Sequence, residues 1–174
     1  MKKLVLPLFS LLMALLTSCL NGKYETTPSV IVDPVILVNE TDTIGIIFNA
    51  QESKYSTDTM FIGDTLLISV AFDAVGNNLT AGQIKYQSEY ADLNVLDVDK
   101  LGDVFTPTVA TDSYSFTIAT GYRGVVLQFQ YVPKKVGKAQ LDFVVQSDSE
   151  YSPSSLTLLT PITERPAAPE TSEE

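Results

Sequence analysis

The chain has no histidine, no tryptophan and one cysteine, Cys19, among its 174 residues. Each lack excludes a class of chemistry. Without histidine there is no Ser-His-Asp or Cys-His relay, no ordinary proton shuttle near neutral pH, and no imidazole for a transition metal. A lone cysteine cannot close a disulfide within the chain or build a cysteine zinc site. Without tryptophan the widest aromatic platform for a sugar ring is missing. No glycine-rich loop stands between a strand and a helix to cradle phosphate. Basic residues are also few, 11 Lys and Arg against 21 Asp and Glu, for a net charge of −10. A surface of that sign repels nucleic acid, which removes nucleic-acid binding from the functions to consider. Two carboxylates can run glycoside hydrolysis by themselves. Here 21 acids form many pairs and no pair is marked out by its surroundings, so no enzyme is expected.

What is present begins at the amino terminus. Met1-Lys2-Lys3 is basic and Leu4 to Leu16 is apolar, interrupted at Pro7. That run is shorter than the roughly 20 residues a membrane-spanning helix needs, and matches a secretory signal. It closes on Leu16-Thr17-Ser18-Cys19, which resembles the lipobox of bacterial lipoproteins: a branched aliphatic, two small residues, then cysteine. The resemblance implies removal of residues 1–18 and acylation of Cys19. The chain would then be anchored by lipid to the outer membrane of the cell envelope, on its periplasmic or surface-exposed face. Several acyl chains hold a protein stably in a bilayer where one does not. The alternative is an ordinary signal peptide followed by a chance cysteine. Cleavage removes Lys2 and Lys3 and no acid, so the mature chain is more acidic still.

Behind the signal, residues 19–29 form a polar tether and residues 163–174 a Pro/acid-rich tail too poor in apolar side chains to fold. Residues 30–162 carry a period of two, the mark of strands. Leu66, Ile68, Val70 and Phe72 share one face. So do Tyr114, Phe116 and Ile118; Val125, Leu127, Phe129 and Tyr131; and Leu141, Phe143 and Val145. Shorter alternations occur at Ile84 and Tyr86, Leu96 and Val98, and Leu156 and Leu158. Val30 to Val38 and Ile44 to Phe48 are further apolar runs, with Pro34 marking an edge or bulge. Turn chemistry at Gly63-Asp64, Gly76-Asn77-Asn78, Gly102-Asp103, Gly121 to Gly124 and Gly137-Lys138 separates these segments. Many short strands without interleaved helices predict an all-β, antiparallel β-sandwich.

Gly63-Asp64-Thr65 leading into Leu66 to Phe72, then Gly76-Asn77-Asn78-Leu79-Thr80, resembles the opening of immunoglobulin-like modules of Bacteroidota surface proteins. Phe129 to Gly137, Ala139 to Phe143 ending at Gln146-Ser147-Asp148, and Tyr151-Ser152-Pro153 before Ser155 to Leu158 resemble their second half. Over residues 60–162 the resemblance implies an immunoglobulin-like β-sandwich. The strands between Val30 and Phe48 are extra to it, completing the sandwich or pairing along an edge.

Two weaker patterns remain. Asp97, Asp99 and Asp103 lie in the densest acidic stretch and are candidate calcium ligands, the only cofactor considered. The plainer reading is a solvated strand face beside a turn. Asp42-Thr43-Ile44, Asp58-Thr59-Met60 and Asp64-Thr65-Leu66 resemble the short O-glycosylation motif of Bacteroidota, making Thr43, Thr59 and Thr65 candidate acceptors. The plainer reading there is an aspartate capping a turn before a β-branched residue. The expectation for the whole chain is a lipid-anchored, non-catalytic binding or adhesion module for a glycan or protein ligand. The alternative is a structural or accessory subunit of an envelope assembly. A tyrosine- and acid-lined loop cluster favours the first, an unpaired strand edge the second.

Overall fold

The computed structural model describes residues 25–38, 42–96 and 105–167. Cys19 and the acidic residues Asp97, Asp99 and Asp103 lie outside them. The described chain is all-β, with no helix among the described residues. One sheet contains β1 (Ser29–Val32), β2 (Val35–Leu37), β3 (Thr43–Ile44), β7 (Leu66–Asp73), β9 (Ala91–Val95) and β12 (Gly124–Pro133). Its order is β3-β2-β7-β12-β9, with β1 also beside β7. The other contains β4 (Ile46–Asn49), β5 (Lys54–Thr57), β6 (Met60–Phe61), β8 (Leu79–Lys85), β10 (Phe105–Ala110), β11 (Ser113–Ile118), β13 (Gly137–Ser147) and β14 (Ser154–Thr163). Its order is β10-β11-β8-β13-β14-β5-β4, with β6 also beside β14.

Alternation in the sequence becomes burial in the structure because successive side chains of a strand point to opposite faces. Leu66, Ile68, Val70 and Phe72 are buried, as are Leu127, Phe129 and Tyr131 on the neighbouring β12. Leu141, Phe143, Val145, Tyr114 and Phe116 supply the facing layer from the other sheet. Aromatic rings tie the layers together and brace one of them from within. Phe72 meets Phe116 edge-on at 5.2 Å, Phe129 meets Phe143 at 6.1 Å, and Phe105 stacks on Phe116 at 4.6 Å. Phe116 fits because Gly82 lies under it: a Cβ there would come within 2.1 Å of the ring. The Tyr131 hydroxyl crosses the core to the buried Thr160 hydroxyl at 3.0 Å, so neither polar group is stranded.

All but two of the pairings are antiparallel. β14 runs parallel to β5 and to β6, which lie end to end along the same edge of it. On the other sheet β1 and β2 lie end to end along β7, divided at Asp33-Pro34. The chain changes sheets between β3 and β4 at Gly45. Asp58 secures that crossing, its carboxylate accepting the Gly45 N–H at 3.0 Å and its own N–H donating to the Gly45 carbonyl at 3.1 Å.

Phe129→Ala should cost about 3–5 kcal/mol through lost transfer energy and the cavity left behind. Gln128→Ala, on the solvent face of the same strand, should cost about 0.5 kcal/mol or less. Comparable urea midpoints for the two variants would contradict this assignment of faces. Burial raises the Tyr131 phenol above its ordinary value of 10.0, while the Thr160 hydrogen bond pulls the other way. Its contribution to stability is therefore whole below the unfolded value and is lost as pH rises through the folded one. The parent chain should show an alkaline fall in urea midpoint, and Tyr131→Phe should flatten it.

Candidate functional site

The two sheets do not end together on one side of the sandwich. β3 continues the first sheet one strand beyond β2, through Val35↔Ile44 and Ile36↔Thr43. Beside β1 that outer row is empty: among the described residues β1 pairs with β7 alone. The other sheet goes on past β14 into β5 and then β4. The inner face of the β4–β5 pair therefore projects beyond the strand that would cover it.

The register shows what this uncovered face presents. Phe48 pairs with Tyr55, and Tyr55 with Leu158, so all three point the same way. Leu158 is fully buried, which fixes that direction as inward. Yet Phe48 is 53% exposed and Tyr55 40%. Their rings meet edge-on at 5.1 Å and brace each other. A cleft of about 450 Å³ runs between Ser29 and Val30 on one wall and Leu156 and Thr157 on the other, with Tyr55 in its floor. It continues into a smaller hollow of about 210 Å³ reaching Val32, Ile46 and Leu158. The charged side chains at the rim are already held, Glu52 by Lys138 at 2.7 Å and Lys54 by the Gln140 side-chain oxygen at 3.1 Å.

The upper wall of the cleft is backbone. Asp33 donates its N–H to the Ser69 carbonyl at 3.0 Å, continuing the β1–β7 ladder. In an antiparallel pair the bonded residues alternate, so Ser29 and Ile31 also face β7. The N–H and C=O groups of Val30 and Val32 then point outward into the cleft.

Other surfaces offer less. At one end Asn78 and Asp148 tie the β7–β8 and β13–β14 turns together at 2.9 and 3.2 Å, with Tyr122 and Tyr151 exposed nearby. On the side away from β1 a groove of about 260 Å³ separates Leu93 and Val95 of β9 from Pro107 and Val109 of β10. Among the described residues no group of three His, Cys, Asp or Glu could hold a metal ion.

Of the three candidate glycan acceptors, Thr43 and Thr59 are exposed and Thr65 is half-buried. Two of the preceding aspartates have structural work. Asp58 holds the Gly45 crossing. Asp64 is buried, accepts the Phe61 N–H at 3.0 Å and pairs with Arg165, whose guanidinium lies over the Phe61 ring at 5.2 Å. Nothing in the sequence marked Phe48 and Tyr55 as surface groups. Phe48 closes an apolar run and Tyr55 belongs to a polar segment.

The chain matches no family model and no curated protein. Among solved structures it is similar to the C-terminal domain of the Streptococcus pyogenes antigen I/II-family protein AspA, at 13% identity and a TM-score of 0.49. That match covers 79% of this chain and 47% of the other. It is also similar to a non-cellulosomal cohesin from the archaeon Archaeoglobus fulgidus, at 10% identity and 0.46, covering 80% and 93%. A DUF4466 family protein from Parabacteroides merdae matches at 9% and 0.45, over 78% and 44%. The chain thus spans less than half the length of the first and third. None of these likenesses assigns a ligand or a residue role here.

The buried turn gives a direct test. Asp64→Ala removes a charge-assisted bond to a backbone N–H and should cost about 2–3 kcal/mol. Thr65→Ala should cost less than about 1 kcal/mol. Equal urea midpoints would show that Asp64 does not hold the turn.

Proposed function

We propose that this chain is a non-catalytic binding module that takes a protein partner and is held at the cell envelope by lipid on Cys19. The observation that carries the reading is the uncovered inner face of β4 and β5, where Phe48 and Tyr55 stand exposed in a direction that elsewhere leads into the core. Soluble sandwiches cover such faces, and an apolar surface left open with a polar rim marks a site of association. Chemistry has little to draw on. The chain has no histidine, and Asp58, Asp64, Asp92, Asp112 and Asp148 are engaged in bonds that hold turns or ion pairs. The outward-facing edge of β1 favours, as a second reading, a subunit or accessory role in an envelope assembly.

Photoreactive benzoylphenylalanine at position 48 of the full-length chain in its own cells should give one discrete protein adduct. The same group at Thr106, exposed on the opposite edge, should not. Equal adducts at both positions, or none at 48, would count against a partner on this face. Cys19→Ala should release the chain from membranes that retain the parent after a high-salt wash. Retention of the variant would refute the lipid anchor.

A further inference from the structure

We infer that the cleft is the place of an absent strand: an extended, uncharged segment of another protein, alternating in apolar residues, adds to the outer edge of β1. This rests on the protein-binding reading above and gives it a mode. Three features converge. Among the described residues the row that β3 occupies beside β2 is vacant beside β1, so a strand entering there would continue the line of β3. The wall it would meet offers backbone donors and acceptors at Val30 and Val32, one residue apart, as a strand requires. The far side is the inner face of the other sheet, where Ile46, Tyr55 and Leu156 take the place of the core that every second side chain of a strand needs, with Phe48 beside the cleft against the Tyr55 ring. β1 has four residues, so the slot takes a strand of about that length, roughly 13 Å at about 3.3 Å per residue.

The chemistry of the occupant follows from the rim and the floor. Glu52 is paired with Lys138, and the Lys54 ammonium is held by the Gln140 side-chain oxygen at the rim, away from the apolar residues of the hollow. The chain's acidic balance disfavours an acidic segment. A second copy fits poorly. Phe48 and Tyr55, 53% and 40% exposed, offer roughly 200 Å² on this face, whereas a stable dimer needs about 800 Å² from each partner. The chain's own remaining segments fit no better: Leu20 to Tyr24 and Ala168 to Glu174 are polar or acidic and lack the alternation. Residues 97–104 carry three aspartates and a lysine and are too charged for the hollow.

A synthetic probe tests this with the mature full-length chain carrying Cys19→Ser. The peptide Lys-Thr-Val-Thr-Trp-Thr-Val-Thr-Lys has the required alternation. Its tryptophan reports burial without background, since the protein has none. Titration should give a saturable blue shift. N-methylation of the peptide amides that face β1 should weaken binding at least tenfold, and methylation of the alternate set should change it little. Val32→Pro, which removes an outward N–H but no bond to β7, should weaken binding similarly, whereas Val32→Ala, which loses the same packing against the core but keeps the N–H, should weaken it much less. Tyr55→Arg, exposed enough to fold normally, should weaken binding as Val32→Pro does, from the floor. Affinity indifferent to both methylation patterns and to Val32→Pro would overturn strand addition while leaving a protein-binding cleft in place. No saturable shift with the parent would also overturn it, as would a concentration-dependent dimer lost in Tyr55→Arg. The adduct at position 48 in cells reads the binding function separately from either result.

Discussion

Each inner face of a sandwich is solvent for the other. Two sheets about 10 Å apart exclude water from both faces only where strands of each lie over strands of the other. In this protein that mutual cover is complete across β7 and β12 on one side and β8, β13 and β14 on the other. There Ile68, Leu127, Phe129, Leu141 and Phe143 reach zero or nearly zero exposure. Where cover stops, the same alternation that buries Leu158 leaves Tyr55 half in water. The core and the cleft are therefore one pattern seen on either side of the line where the narrower sheet ends.

That line is drawn by two interrupted strands. Asp33-Pro34 divides β1 from β2 along β7, and Asp58-Thr59 divides β5 from β6 along β14. Proline has no N–H to give a ladder, so a break at Pro34 costs least at a sheet edge. At the second break Asp58 bonds both ways to the backbone of Gly45 and pins the crossing from one sheet to the other. A Cβ on Gly45 would approach that carboxylate to 2.9 Å, so the tight contact and the glycine belong together. Asp64 repeats the device at the next turn, with Arg165 added from beyond the last strand. In two of the three Asp-Thr-aliphatic triplets the aspartate thus holds a turn.

The parts of the fold legible in the sequence were those where one strand carries its own signal. Leu66 to Phe72 and Leu141 to Val145 alternate over enough residues that their buried faces follow from spacing alone, and both faces are as expected. β5 and β10 escaped notice for opposite reasons. Lys54-Tyr55-Ser56-Thr57 has too little apolar content to show a period. Phe105 to Ala110 is an edge strand exposed along most of its length, with Pro107 inside it. The parallel pairing of β14 with β5 joins segments about a hundred residues apart, and no local pattern encodes it. The antiparallel expectation was right for every other pair. Gly82 sits inside a strand because the Phe116 ring needs the space a Cβ would fill. The cleft was illegible for a deeper reason. It consists of a missing neighbour, and periodicity tells which face turns inward but not whether anything lies opposite.

Exposed strand edges recruit other strands, and proteins that must stay single blunt them with shortness, charge or proline. The four lateral edges here are treated unequally. β3 is two residues long. β9 carries Asp92, paired at 2.6 Å with Lys134 of the strand-ending turn beside it. β10 contains Pro107. β4 reads Ile46-Ile47-Phe48-Asn49, with no charge and no proline, and Ile47 and Phe48 are both largely exposed. A chain that blunts three edges and leaves the fourth apolar, next to the one stretch of the other sheet with an open row, has a side that is incomplete by construction of its strands. Burying Phe48 and Tyr55 would remove apolar area worth about 25 cal/mol per Å², a gain the isolated chain forgoes. That gain goes to a partner that covers this face, and a strand would add the backbone bonds that the edge of β1 holds out.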